Sequence, residues 1–404
     1  MITVKKIKFK IGLFFIIIGC VFSSGYAIEL VSGTFIKLFF LGITFLGCWL
    51  IKAPDKMCFK RLKINGISLI YIFMSLGIVL SYFANMFGNS LIDHILILLS
   101  MYGALSIASR IEMQQFCKIF VDGMIFFVIV SLIVWILIQM GIPVPSYAYN
   151  GLNGGVYRTI GLCTWMESHP RFMGPFWEPG LFASFLVLAI VFEICFNKNK
   201  PRFYAITLCV LGVLLTDSTA GYLLLLMVFY IWFRKNRKMG LLLDSLSILM
   251  FILIYINLKN IITLLVDLNP IVFGKLMGGG VSYDTRMLSP LACILVFLKS
   301  PIFGHGYSQA IVLYNGFKPL MKIDALTSTS GYMLAAFGIL GIVYTIAIIW
   351  ICFKQVEFPL IIRVFLFFIL FFIVNKEPHY HNMLMYTILC MMALYNKSYK
   401  ERSN

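Results

Sequence analysis

Residues 118–140 read KIFVDGMIFFVIVSLIVWILIQM, and residues 180–197 read GLFASFLVLAIVFEICFN. Each run is almost wholly apolar. Crossing about 30 Å of hydrocarbon takes about 20 helical residues at 1.5 Å each. Helix is the expected form, because backbone groups in lipid must pair within their own segment. Working outward, the same pattern repeats along the chain, with short basic linkers between the runs. The 404 residues are 61% hydrophobic and 12% charged, against about 25% charged for an ordinary soluble domain. The fold class expected is an all-α polytopic membrane protein, with no soluble domain.

Twelve spans are expected, near 11–30, 34–52, 66–86, 91–108, 118–140, 180–197, 202–216, 220–234, 241–258, 329–353, 359–375 and 383–396. Lys and Arg gather in alternate connections: Lys5 to Lys10, Lys52 to Lys63, Arg110 with Lys118, Lys198 to Arg202, Arg234 to Lys238, Lys354, and Lys397 to Arg402. By the positive-inside tendency those connections face the cytoplasm, as do both termini. The net charge of +17 is thereby explained without a nucleic-acid partner. The basic start followed by IGLFFIIIGCVFSS resembles a signal peptide, but a first anchoring helix is the simpler expectation.

Between the two opening runs lies residues 141–179, GIPVPSYAYNGLNGGVYRTIGLCTWMESHPRFMGPFWEP. A second long connection spans 259–328. The expected organisation is thus N-terminal spans over 1–140, a first outward loop 141–179, central spans 180–258, a second outward loop 259–328, and C-terminal spans with a tail over 329–404. Long connections are usually functional or disordered, and these are too aromatic and apolar for disorder. Short surface helices are expected in them. In the second loop Leu291, Ile294, Leu295 and Leu298 form one apolar stripe, with Asp284 or Thr285 as the cap and Lys299-Ser300-Pro301 as the end. Such a helix would lie on the bilayer face; a re-entrant or spanning segment over 288–303 is the competing reading.

Outward loops should be poor in cations, yet these two carry Arg158, Arg171, Lys259, Lys275, Arg286, Lys299, Lys318 and Lys322. Arg binds phosphate in a bidentate manner and stays charged, so an anionic ligand beside the membrane fits. Ion pairs with Glu167, Glu178, Asp267 or Asp284 are the plainer alternative. Asp93, Asp122, Glu193, Asp217, Asp244 and Arg363 all fall near expected span ends rather than at the midplane, where transporters place substrate groups.

His169 and His305 lie in the long loops and are candidate general bases. His94 reads as a packed, helix-bonded group, and His379 and His381 precede the last span. The ten cysteines are scattered, with no Cys-x-x-Cys pair, so neither a metal nor another cofactor is expected. Only Cys163 and Cys293 fall in outward loops, where they could form a disulfide. There is no Gly-rich nucleotide loop and no Asp-x-Asp pair, which weighs against a sugar-nucleotide substrate.

The run Arg171-Phe-Met-Gly174-Pro-Phe-Trp-Glu178-Pro179 resembles the O-antigen polymerase family, in which an Arg, a Gly and a Glu-Pro pair precede a span. In the same order, Leu215-Thr-Asp-Ser218-Thr-Ala-Gly221-Tyr222 is similar to a short hairpin of that family. Arg286 with Pro301-Ile-Phe-Gly304-His-Gly306 is similar to its second-loop Arg and turn, and Ser330 to Gly341 to the span that follows. The resemblance covers about 165–345. Two features depart from the wider polymerase and ligase group. None of Arg158, Arg171 and Arg286 has Gly at the offset of one described polymerase pattern, and the place of the ligase His reads Thr327-Ser-Thr-Ser330.

What the resemblance implies is a bacterial inner-membrane glycosyltransferase that joins undecaprenyl-diphosphate-linked oligosaccharide repeats on the periplasmic face. A chain-length regulator would be its protein partner. A ligase, or a flippase that makes no bond, is the rival reading. On chemical grounds Arg171 and Arg286, with Arg158 in support, are candidates for the diphosphate. Glu178, His305 and His169 are candidates for handling the acceptor hydroxyl proton. Tyr157, Trp165, Trp177 and Tyr307 are candidates for stacking on sugar faces. The arginines of the two loops are expected to converge.

Overall fold

The computed structural model describes residues 2–29, 33–51, 66–150, 155–168, 171–197, 200–236, 263–264, 266–267 and 281–400. The expected span 241–258 and His169 lie outside the described residues.

The chain is mostly helical. In order it forms α1 (Ile2–Phe22), α2 (Thr34–Leu50), α3 (Gly66–Ala84), α4 (Leu91–Arg110), α5 (Met113–Gln139), β1 (Tyr147–Asn150), β2 (Val156–Thr159) and β3 (Thr164–Met166). There follow α6 (Pro179–Val191) with a π-helical turn Phe192–Phe196, α7 (Phe203–Leu215), α8 (Thr219–Asn236), α9 (Val281–Lys299), α10 (Tyr307–Met321), α11 (Thr329–Phe337) with a 3₁₀ turn Gly338–Gly341, α12 (Ile342–Phe353), α13 (Leu360–Lys376) and α14 (Met383–Lys400). Each expected apolar segment on described residues coincides with a helix, although α1 ends at Phe22 instead of reaching residue 30.

Five helical stretches are long and apolar enough to cross a membrane: Gly66–Ala84, Leu91–Arg110, Met113–Gln139, Pro179–Phe196 and Thr329–Phe353. Thr34–Leu50, Phe203–Leu215 and Met383–Tyr395 are shorter and apolar. Large apolar side chains such as Phe35, Trp49, Phe83, Phe203 and Ile346 lie exposed on helix surfaces. Helices that are apolar all round suit lipid rather than water.

Two compact units emerge. The first comprises residues 1–71, 95–225 and 379–404, and the second 72–94 and 226–378. In the first, α6 is buried along its whole length and packs against α5 and α7. It has no side left to face a solvent of any kind. In the first half of its π turn, the buried Glu193 accepts from Asn197 Nδ2 at 2.7 Å, from the Arg202 main-chain N–H at 2.8 Å and from Arg202 Nη2 at 2.9 Å. Arg202 also pairs with Asp122. These charges near helix ends tie α5, α6 and α7 together.

The first long connection folds differently from expectation. Its described residues hold a three-stranded antiparallel sheet, order β1-β2-β3, in place of surface helices. Tyr147 pairs with Thr159, and Tyr157 with Met166. Aromatic and β-branched residues in short alternating runs favour a pleated, half-buried surface. The segment after β3 is zipped onto the turn that follows α1: Ala27 N–H donates to Pro175 O at 2.9 Å, and Trp177 N–H to Gly25 O at 3.1 Å.

In the second unit α9 packs on α10, α11 and α13. One expectation is corrected here. The helix begins at Val281, ahead of the proposed cap at Asp284 or Thr285. Thr285 Oγ1 is instead used to accept the Asp324 N–H at 3.0 Å. The apolar stripe also points outward: Leu291, Ile294 and Leu298 are exposed, while Thr285, Ser289, Ala292, Cys293 and Val296 are buried. Small and polar residues make the contact because they allow close helix approach. A further helix, α10, occupies the same connection, where only one was expected.

Candidate functional site

In the first unit Arg171 leaves the sheet and reaches the hairpin between α7 and α8. Its Nη2 donates to Asp217 O at 2.7 Å and its Nε to Thr216 O at 3.4 Å. Asp217 has φ +47°, a left-handed conformation that Asp tolerates better than most residues. Its carboxylate accepts from Tyr222 Oη at 3.2 Å. The Arg171 motif and the Thr216–Tyr222 hairpin were matched separately in sequence, and these hydrogen bonds join them.

Gly174 explains part of the motif. It has φ +54°, and a Cβ there would lie 2.9 Å from the Phe182 ring. Glycine alone meets both demands without strain. Glu178 is the half-buried residue preceding α6, and Pro179 takes the first helical position, where its missing N–H costs nothing. Trp177 is half-buried, with its ring edge over Gly25.

Two of the stacking candidates are corrected. Tyr157 is 7% exposed and Trp165 5% exposed. Tyr157 stacks on Tyr149 at 5.7 Å beside Ala27 and Met173, and Trp165 packs among Val134, Cys163 and Phe172. The two rings lie on opposite faces of the sheet, since Tyr157 pairs with Met166 and Trp165 with Arg158, and each is buried in its own apolar cluster. Arg158 forms an ion pair with Glu167 at 2.8 Å, with both side chains substantially exposed. Such pairs contribute about 0–1 kcal/mol.

In the second unit Arg286, on α9, reaches Glu377 at 3.5 Å. Glu377 is 2% exposed. Its main-chain oxygen accepts from Thr329 Oγ1 at 3.1 Å. Ser328 caps α11 by accepting the Gly331 N–H at 3.0 Å, and donates to Asn375 Oδ1 at 2.8 Å. On the other side, Ser289 Oγ accepts the Thr327 N–H at 3.0 Å, and Tyr314 Oη lies 3.0 Å from it. The Thr327–Ser330 turn is therefore clamped between α9 and α13.

His305 stands in the glycine turn before α10. Its Nε2 lies 3.1 Å from Val296 O, so that nitrogen carries the hydrogen and Nδ1 is the basic atom. The turn fits against the end of α11. His305 N–H donates to Ala335 O and Gly306 N–H to Ala336 O. Gly304 has φ +68°, and a Cβ there would lie 2.4 Å from Ala336 O. Ser81 on α3 and two residues of the turn that follows it grip the same region: Ser81 Oγ donates to Ala336 O, Asn85 Nδ2 to Gly304 O and Asn89 Nδ2 to His305 O. Sequence reasoning passed over that polar stripe; its spacing was the available signal.

Tyr307 is half-buried, with its ring edge-on to Tyr332 at 5.6 Å. His94 accepts the Tyr307 N–H at Nε2 and lies 2.8 Å from Ser90 O at Nδ1, the bonded role expected of it. Cys163 and Cys293 are buried free thiols, so no disulfide joins them. Arg171 and Arg286 belong to different units, and each is seated by its own surroundings. Among the described residues no group of three or more His, Cys, Asp or Glu side chains could hold a metal ion.

Comparison with known proteins gives no match to a family model, to a curated protein or to a solved structure.

Proposed function

We propose that this chain is a polysaccharide polymerase of the bacterial inner membrane, with twelve spans, cytoplasmic termini and both long connections on the periplasmic face. One observation carries the reading. Segments that resemble the polymerase family piece by piece are physically coupled within each unit. Arg171 is bonded to the Thr216–Asp217 hairpin, and the Gly304–Gly306 turn is fitted to the end of α11.

In this reading an acceptor sugar hydroxyl on an incoming lipid-linked unit attacks the anomeric carbon at the reducing end of the growing chain. A glycosidic C–O bond forms, and the bond to the lipid diphosphate breaks with its electron pair on the diphosphate. The hydroxyl proton passes to Glu178 or to the departing diphosphate. Guanidinium groups stabilise the charge that develops on the leaving group, which is the task of Arg171 and Arg286. Holding the acceptor in line supplies much of the remaining rate.

The test is replacement of Arg171 or Arg286 by Ala in the native host, followed by analysis of lipid-linked glycans and of protein level. The expected result is accumulation of single repeats with the protein still inserted. Normal chain length in both variants would remove the proposal. Long chains left unattached point to a ligase, and repeats trapped on the cytoplasmic side to a flippase.

A further inference from the structure

His305 is held at every hydrogen-bonding atom but one. Its N–H donates to Ala335 O at 3.1 Å, its carbonyl accepts from Asn89 Nδ2 at 2.9 Å, and its ring Nε2 lies 3.1 Å from Val296 O. Nδ1, the ring atom left to accept, has no partner among the described residues. The residue is half-buried and stands between Gly304 and Gly306, whose φ angles are +68° and +74°.

One side chain ties His305 to the helix that follows. Asn89 also donates to Asn85 O at 2.8 Å, and its Oδ1 accepts the Ser308 N–H at 2.8 Å and the Gln309 N–H at 3.3 Å. Two donors and two acceptor positions are the whole capacity of an amide side chain. Helix α10 begins after Gly306, which has no side chain to cap it. Its first N–H groups, orphaned as in any helix, are taken up from afar: Asn89 binds those of Ser308 and Gln309, and His94 accepts that of Tyr307. The fit has no slack. A Cβ on Gly306 would lie 2.5 Å from the Asn89 amide, and one on Gly88 would strike Gln309 Nε2. A helix cap needs only a nearby oxygen. This one comes from 219 positions away and also clasps the His305 carbonyl. It thereby sets where the imidazole sits, and the Val296 carbonyl sets which nitrogen carries the hydrogen.

We propose that Asn89, with His94, is a positioning residue that holds His305 Nδ1 as the acceptor for a hydroxyl of the lipid-linked sugar. Nδ1 has no hydrogen to offer, so it selects a donor: a hydroxyl fits, and a diphosphate oxygen does not. The hydroxyl is oriented by this bond, and its proton is not transferred to the ring. The proposal rests on the polymerase reading for the identity of the ligand.

Two measurements on the full-length protein separate the parts. In detergent without substrate, ¹⁵N-histidine NMR above about pH 8, where imidazole is neutral, reads the tautomer, and the His305 signal is assigned by its loss in His305→Gln. The native ring should be Nε2–H throughout. Asn89→Asp keeps an oxygen for the Ser308 and Gln309 N–H groups but removes the donor to His305 O, so it should keep the fold and give a mixture of both tautomers. Asn89→Ala, which removes cap and clasp together, should do the same with a lower melting temperature. In proteoliposomes supplied with the purified lipid-linked repeat, both changes should lower kcat/KM about tenfold, and neither should add to the loss caused by His305→Ala. A native ring already mixed, an unchanged ring in Asn89→Asp, or losses that add to that of His305→Ala overturn the proposal. A native protein that makes no polymer removes the polymerase reading, and the tautomer measurement, made without substrate, still decides whether Asn89 fixes the ring.

Discussion

Arg171 and Arg286 carry the same charge on similar long connections, yet one rests on main-chain carbonyls and the other on a buried carboxylate. The contrast extends to their supports. Around Arg171, a sheet and a hairpin meet through backbone hydrogen bonds, with Gly174 tucked under the Phe182 ring. Around Arg286, helices are locked by side chains, and the adjoining glycine turn has backbone against backbone. A carbonyl seat leaves a guanidinium its full charge to offer an anion. A carboxylate partner neutralises part of it but fixes the group in place when no ligand is bound.

The largest difference between the regions should appear at their glycines. Gly304→Ala drives a methyl into the Ala336 carbonyl, which cannot turn aside, and adds left-handed strain, so a loss of about 3 kcal/mol is expected. Gly174→Ala meets an aromatic ring that can shift, so about 1–3 kcal/mol is expected. Thermal unfolding in detergent gives the order, and equal losses would break the contrast. Next in size, Glu377→Gln should cost about 1–3 kcal/mol, because the Arg286 charge loses its counterpart. Arg158→Ala, which removes an exposed pair, should cost under about 1 kcal/mol.

The smallest effect concerns Cys163. Burial pushes its thiol up to about 12 from an ordinary value of 9.0. A raised thiol pKa contributes stability that is complete below the unfolded value and is lost as pH climbs through the folded one. Native protein should therefore resist alkylation at Cys163 near pH 8, and Cys163→Ala should flatten the stability loss between about pH 9 and 12. Ready labelling of the folded protein would contradict the packing of this residue beside Val134 and Phe172.

The helices were legible because continuous apolar runs leave no other backbone solution in lipid. The sheet was not read, although Tyr147, Tyr149 and Tyr157, with the sequence Asn153-Gly154-Gly155 between them, carry strand and hairpin signals. The strands are only three or four residues long, too short for a period-2 pattern to stand out. Helix α10 was missed because Gly316 and Pro319 interrupt an otherwise ordinary pattern. Arg286 was matched to acids nearby in sequence, while its partner Glu377 lies 91 positions away, a pairing that no local spacing encodes. The outward turn of Leu291, Ile294 and Leu298 follows one rule: when the surroundings are oily, the largest apolar groups need not point inward.

The Ser81, Asn85 and Asn89 stripe has a consequence for biogenesis. These groups grip the Gly304–Gly306 turn and the end of α11, so during synthesis they emerge more than two hundred residues before the acceptors they reach. Until then Asn85 and Asn89 have only the nearby main-chain oxygens of Ser81 and Asn85 to bond, and their remaining capacity is unmet. A ribosome stalled before codon 300 should yield a fragment that is cleared quickly, and a separately expressed C-terminal piece supplying the turn should slow its degradation.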